Sequence, residues 1–284
     1  MGSRGGFQGT RKEPGLDPVI LAAEECDLTQ PVCAPENVSE LFVFDTPLFG
    51  TPITRTIFLF FLAALIVIGL LYFAYRKPNL IRSKFQTAID AITGYVRDEV
   101  SIGIIGPEGV KYFPYLLSLF LFILVGNLFE VTPLINFPIT SRMAIPGFLA
   151  IVTYLIFVIV GFAKNGFGYL GDIVWPKSVP VAMRPLVGLI EFVSYFAIRP
   201  FSLAVRLLAN MVAGHVMLTL LLVTGWVFMT SFGEVSIAKQ GAGVLWFALG
   251  LGIFVFEVLV AVLQAYIFTL LSAVYIQTSV HPEH

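Results

Sequence analysis

Residues 56–75 read TIFLFFLAALIVIGLLYFAY, an uninterrupted apolar run without a single charge. A helix apolar on every side has no place at the surface of a water-soluble domain, whereas about twenty such residues cross the roughly 30 Å hydrocarbon layer of a bilayer. Runs of the same kind follow at 112–129 and 145–162, which predicts a transmembrane hairpin over 112–162. Two more runs, 185–229 and 241–277, are longer still. As straight helices at 1.5 Å per residue they would measure about 67 and 55 Å, twice the hydrocarbon thickness. Neither has a polar turn at its midpoint that would split it into two ordinary spans. Steep tilt accommodates such lengths in a thin bilayer. The expectation is therefore an all-α integral membrane protein with five crossings. Its last two helices, within 185–279, form a long, steeply tilted hairpin joined by 230–240.

Composition closes off other classes. Of the residues, 57% are hydrophobic and 12% charged, against about a quarter charged in soluble domains. The formal net charge of -1 lacks the clustered basic surface that nucleic acid requires. No zinc spacing, phosphate-binding glycine loop or nucleophile elbow is present. His215, His281 and His284 are too scattered for a metal site, so no cofactor and no catalysis by this chain alone is expected.

Two segments differ from the spans. Residues 1–55 are polar, and up to Asp45 they carry eight acids against three bases. No apolar core near the start suggests a cleaved signal peptide. Cys26 and Cys33 both lie here; if the stretch is exported a disulfide between them is plausible, and two free thiols are an equal reading. In 79–105, Leu80, Ile81, Phe85, Ile89, Ile92 and Val96 recur at helical spacing among Arg82, Lys84, Asp90, Arg97 and Asp98. That pattern predicts an amphipathic helix on the membrane surface. Loop 76–111 holds six Lys/Arg and 163–184 holds three, whereas the opposite loops hold Arg142 and Lys239. Basic loops stay in the cytoplasm, which puts the N-terminus outside and the C-terminus inside.

Ionisable residues within spans are costly and by default functional. The first long run holds Glu191, Arg199, Arg206 and His215, and the second holds Glu257. At about 100° per residue, Ser202, Arg206 and Asn210 share a face, Glu191 falls roughly 60° from Arg206, and His215 points the opposite way. Glu257, Gln264 and Tyr275 fall within about 20° of one another. No acid stands three or four residues from Arg206 to neutralise it. Arg199 precedes Pro200, which frees the Phe196 carbonyl and bends the helix; it reads equally as a structural or headgroup contact and as a channel residue. Glu130, near the outer end of its span, reads first as interfacial and second as a conducting residue. Facing helices with an acid, an imidazole and a displayed cation suit a proton path.

The runs LIEFVSYFAIRPFSLAVRLLANMVAGH (189–215) and FEVLVAVLQAYIFTLLSAVYIQ (256–277) resemble subunit a of F-type ATP synthases of bacterial type, and FPYLLSLFLFILVGNLFEVTP (113–133) is similar to that family's third helix. The resemblance implies the stator half of a rotary motor in a bacterial plasma membrane. Its partners would be a ring of c subunits, a b-subunit peripheral stalk, other ATP synthase subunits and lipid. It implies that Arg206 is the essential arginine, that Asn210, His215, Glu257 and Gln264 line an outer half-channel, and that Glu191, Ser202 and Tyr275 lie near an inner one. Many bacterial relatives carry an acid where His215 stands and a histidine where Glu257 stands. The interchange suggests that the two act as a pair. The competing classes are a stand-alone secondary transporter or ion channel, which inverted repeats and broken helices would support, and a non-conducting scaffold, which would have no need of buried charges.

Overall fold

The computed structural model describes residues 26, 32–33, 55–76, 83–132, 139–166, 168–175, 180–181, 183–231 and 236–280. The expectations resting on Lys77, Leu80, Ile81, Arg82, Lys177, His281 and His284, and on most of the N-terminal tail, lie outside these residues. The described residues contain helices and no strand. In chain order these are α1 (Arg55–Tyr75), α2 (Lys84–Tyr95), α3 (Phe113–Val131), α4 (Ala144–Asn165), α5 (Gly168–Val174), α6 (Arg184–Thr230) and α7 (Ile237–Val280). Helices α1, α3, α4, α6 and α7 are long and apolar enough to cross a membrane. The chain divides into two compact units, Met1–Arg55 with Leu218–Leu251, and Thr56–Met217 with Gly252–His284.

In the larger unit, α2 begins at a reciprocal cap. Gln86 N–H donates to Ser83 Oγ, and Ser83 N–H donates to Gln86 Oε1 at 3.1 Å. These bonds satisfy donors that the first turn would otherwise orphan. The helix continues as a π turn over Val96–Ile102 and a last turn at Gly103–Ile105, and it stops at Gly106, whose φ of 89° suits glycine. Ile89, Val96, Val100 and Ile105 are buried, while Lys84, Arg97, Asp98 and Glu99 are exposed. The apolar stripe thus packs on the protein, partly against α3. Lys164, at the end of α4, pairs with Glu108 in the turn before α3.

Helix α6 is a single run with one irregularity. Pro200 cannot donate to Phe196, and its ring crowds that carbonyl. The chain absorbs the misfit in a π turn over Ser194–Ile198, where Arg199 N–H reaches back to Ser194 O. One inserted residue turns the preceding segment by about 100° against a straight helix. The 60° offset of Glu191 from Arg206, expected from uniform periodicity, therefore does not hold.

Beyond the π turn, Leu203, Leu207, Met211 and His215 recur every four residues and are all buried. Leu116, Ile123, Phe157, Ala265, Ala273 and Ile276 are buried in the same unit. On α1, by contrast, Phe61, Leu65 and Ile68 are each at least 65% exposed. An apolar surface of that kind is stable only where lipid is the solvent.

The smaller unit contains the facing ends of α6 and α7. A Cβ on Gly225 would come within 2.7 Å of Phe247 backbone and side-chain atoms, one on Gly243 within 2.8 Å of Phe228, and one on Gly250 within 2.7 Å of Leu222. These three glycines let the two helices approach closely, as small residues do in membrane packing. Cys26 and Cys33 are joined as a disulfide, and Cys33 is buried against Val223 and Phe228.

Candidate functional site

On α6, Gly214 and His215 close the buried stripe described above. The missing side chain at Gly214 is what admits Glu257 from α7: a Cβ there would lie 2.5 Å from its carboxylate atoms. His215 is 1% exposed, and its Nδ1 lies 3.8 Å from Glu130 Oε1 on α3. Glu257 is near enough to Glu130 to act on it electrostatically. Two carboxyl groups and an imidazole from three helices thus share one interior region. Asn127, one helical turn before Glu130, is fully buried, and its Oδ1 accepts from Thr140 Oγ1 at 3.3 Å. Gln264, two turns along α7 from Glu257, is buried on the same face.

This geometry corrects the placement of Glu130. Instead of an interfacial position, it occupies the protein interior at 2% exposure, facing His215. The physical reason is that Asn127 and Glu130, three residues apart, lie on the inward side of α3, where a carboxyl finds polar partners that lipid cannot supply. Asn127 and Thr140 were missed by sequence reasoning. The visible signal was the N-x-x-E spacing of two polar residues within an otherwise apolar span.

Arg206 lies on the opposite side of α6 and is exposed, nine residues before His215 and half a rotation away. Among the described residues it makes no hydrogen bond or ion pair. Its neighbours on that face are short: Ala209 and Ala213 are exposed, and Ser202 and Asn210 are half-buried.

A second polar cluster joins α4, α5, α6 and the end of α7. The Tyr169 and Tyr195 hydroxyls each lie 3.0 Å from Ser279 Oγ, and Asn165 Nδ2 donates to Ser279 O at 3.0 Å. Gly161 leaves room for the Tyr169 ring, whose burial pushes its phenol well above the ordinary value and keeps it a hydroxyl. The Arg199 guanidinium stacks over Tyr195 at 3.9 Å and over Tyr275 at 5.2 Å, and it donates to Thr278 Oγ1 at 3.2 Å. Arg199 is thus a contact between α6 and α7. Tyr275 is half-buried beside it, and Glu191 is half-buried on the other side of the π turn.

The fold and these sites define a polytopic membrane protein with acids and an imidazole in its interior and an exposed guanidinium on a helix face of short side chains. The chain belongs to the ATP synthase A chain family, whose model matches residues 57–277. It is 35% identical over 252 residues to the ATP synthase subunit a of Cereibacter sphaeroides, covering 89% of this chain and 90% of that one. The Dinoroseobacter shibae subunit a is 36% identical over 247 residues, with 87% and 93% covered. That of Streptomyces lividans is 34% identical over 274 residues, with 93% and 95% covered. The chain is accordingly a membrane subunit of an ATP synthase, with other subunits of that complex as partners and proton transport as its family's role.

Proposed function

We propose that this subunit is the stator half of the rotary motor, passing protons to and from the carboxylates of a c ring through two offset half-channels. The observation that carries the reading is Arg206, a cation exposed on a helix face of short side chains without a hydrogen bond or ion pair among the described residues. A charge so placed in a membrane calls for a counter-charge, which a ring carboxylate supplies. An arginine holds its proton at any working pH, so it cannot relay one. It favours the ionised form of an approaching carboxylate, typically by 1–3 pKa units. Each ring carboxylate therefore discharges before it passes, and the cation bars direct leakage between the half-channels. The membrane potential supplies about 2.3 kcal/mol per charge per 100 mV.

Asn210, His215, Glu257 and Gln264 line the outer half-channel, and the contact between Glu130 and His215 adds Glu130 to it. Glu191, Ser202 and Tyr275 belong to the inner one. The long helices α6 and α7 lie steeply tilted against the ring, and a b-subunit stalk holds the assembly still. The chain sits in a bacterial plasma membrane with α2 on the cytoplasmic surface, the N-terminus outside and the C-terminus inside. The basic loops support that orientation, and so does a disulfide in the N-terminal segment, since such bonds persist on the oxidising side.

A cysteine at Ala209 tests the ring contact. In membranes whose c subunits carry a cysteine beside the ring carboxylate, oxidation is expected to yield an a–c crosslinked product. Failure to form it, while a cysteine on the opposite face at Leu207 does, would overturn the assignment. For orientation, a cysteine at Ser83 labels only from the cytoplasm and one at Ser236 only from outside; the reverse pattern would reject the topology.

A further inference from the structure

The polar stripe of α7 stops partway along the helix. At about 100° per residue, Gln264, Phe268 and Tyr275 all fall within about 20° of Glu257. Phe268 is buried, so the group that follows Gln264 on this line is an apolar ring. The buried hydroxyls beyond it turn back to their own helix: Thr269 donates to Ala265 O and Ser272 to Phe268 O, each at 2.8 Å. A hydroxyl whose proton is taken by its own helix has no donor left for a chain of waters. Towards the Val280 end, side chains of α4, α5, α6 and α7 then close the space. The Phe157 ring lies 5.5 Å from that of Tyr195 and 5.8 Å from that of Tyr275, and the Tyr169 and Tyr195 rings are 5.9 Å apart. All three contacts are edge-to-face, the arrangement aromatic pairs favour. Ser279 Oγ donates to Tyr275 O at 2.9 Å, so the Tyr169 and Tyr195 hydroxyls both donate to Ser279. One proton and two lone pairs are all that a serine hydroxyl offers, and here each is occupied.

We propose that Phe157, Tyr169, Tyr195 and Ser279 form an internal seal, which stops water from passing between the Val280 end of α7 and the interior that holds Glu130, His215 and Glu257. This deepens the proton-path reading and rests on it for its purpose. Arg206 separates the two half-channels on the face turned to the ring, and the seal separates them through the packing of the subunit itself. Half-buried Tyr275 stands at the edge of the cluster. Without such a barrier, protons reaching the interior acids could cross the stator directly and dissipate the membrane potential without turning the ring. Rings suit the task because they fill a cross-section without offering hydrogen bonds, and the two hydroxyls that would wet it are spent on Ser279.

Thiol labelling in the membrane-embedded complex reads water access rather than proton movement, so the seal and the proton-path reading fail separately. Ser272→Cys places a thiol behind the cluster at a fully buried position, and the two native cysteines are joined to each other. With the cluster intact, this thiol is expected to resist a small charged methanethiosulfonate. Adding Tyr169→Ala raises its labelling rate at least tenfold when the reagent is supplied on the side of the Val280 end. Tyr195→Leu, a smaller loss of volume, acts in the same direction should the alanine variant not assemble, and Tyr169→Phe, which keeps the ring, preserves the protection. The proposal is overturned if the introduced thiol already reacts freely with the cluster intact, or if the assembled Tyr169→Ala and Tyr195→Leu variants leave it protected. A proton leak in those variants should also persist after a carbodiimide has capped the ring carboxylates, while the parent becomes tight; tight variants would refute the sealing role. A parent that the carbodiimide does not tighten would count against the proton-path reading instead.

Discussion

Arg206 and His215 lie nine residues apart on one helix, yet their surroundings are opposite. Arg206 is exposed among short side chains, while His215 is buried with Glu130 beside it and Glu257 against the adjoining glycine. The buried groups can compensate one another inside the subunit, since charge in a low-dielectric interior is tolerated when partners are close. The exposed guanidinium has no such compensation among the described residues, and on the proposed reading it finds it in another subunit. On that reading one face of α6 gathers its buried charges within this chain, and the other is half of an interface.

Removing the exposed charge produces the largest effect expected. Arg206→Ala reduces ATP-driven proton pumping in inverted vesicles more than a hundredfold with the complex still assembled. Arg206→Lys loses at least tenfold, because a lysine gives up its proton when desolvated and has no planar fork. Near-normal pumping by the alanine variant would mean that the bare face is merely lipid-exposed, and the comparison would fail.

The buried face responds to a thermodynamic cycle. Glu130→Gln and His215→Gln each lower passive proton flux through stripped membrane sectors about tenfold. Their double variant is non-additive, with an interaction in the 0.5–3 kcal/mol range seen for residues in contact. The same cycle with Glu257→Gln is expected to be non-additive as well, as the pairing suggested by the sequence requires. Simple additivity of the two single effects would break that pairing.

Gly214→Ala sharpens the contrast further, because its Cβ would fall 2.5 Å from the Glu257 carboxylate. A several-fold loss of flux is expected, partly recovered by Glu257→Asp, whose shorter side chain withdraws from the new methyl group. No recovery would show that the glycine serves helix packing rather than the acid.

Arg199 gives the smallest effect. Losing its stack on Tyr195 and Tyr275 costs about 1 kcal/mol, in line with cation–π contacts. That lowers the thermal midpoint of the detergent-solubilised complex by a few degrees and leaves flux within twofold. A flux loss as large as that of Arg206→Ala would make Arg199 a second functional cation.

Much of this architecture was legible from residues alone. The five apolar runs specify membrane-crossing helices because lipid leaves a backbone few other choices. A nine-residue spacing puts His215 opposite Arg206 on any regular helix, and the structure agrees, with one buried and the other exposed. Periodicity says which side of its own helix a residue occupies. It does not say which neighbour stands across from that side.

Tertiary structure decided what periodicity could not reach. It set Glu130 at 3.8 Å from His215, which depends on how α3 packs on α6, and it seated the Glu257 carboxylate in the recess left by Gly214. It also rotated Glu191 out of its expected phase, since a local conflict at Pro200 was relieved by a π turn one residue longer than the regular helix. Cys33 found its acceptor at Thr224, 191 residues along the chain, a contact that no local pattern encodes. Local chemistry determined the helices and their faces; their mutual arrangement, which brings distant polar groups within reach of each other, determined the partners.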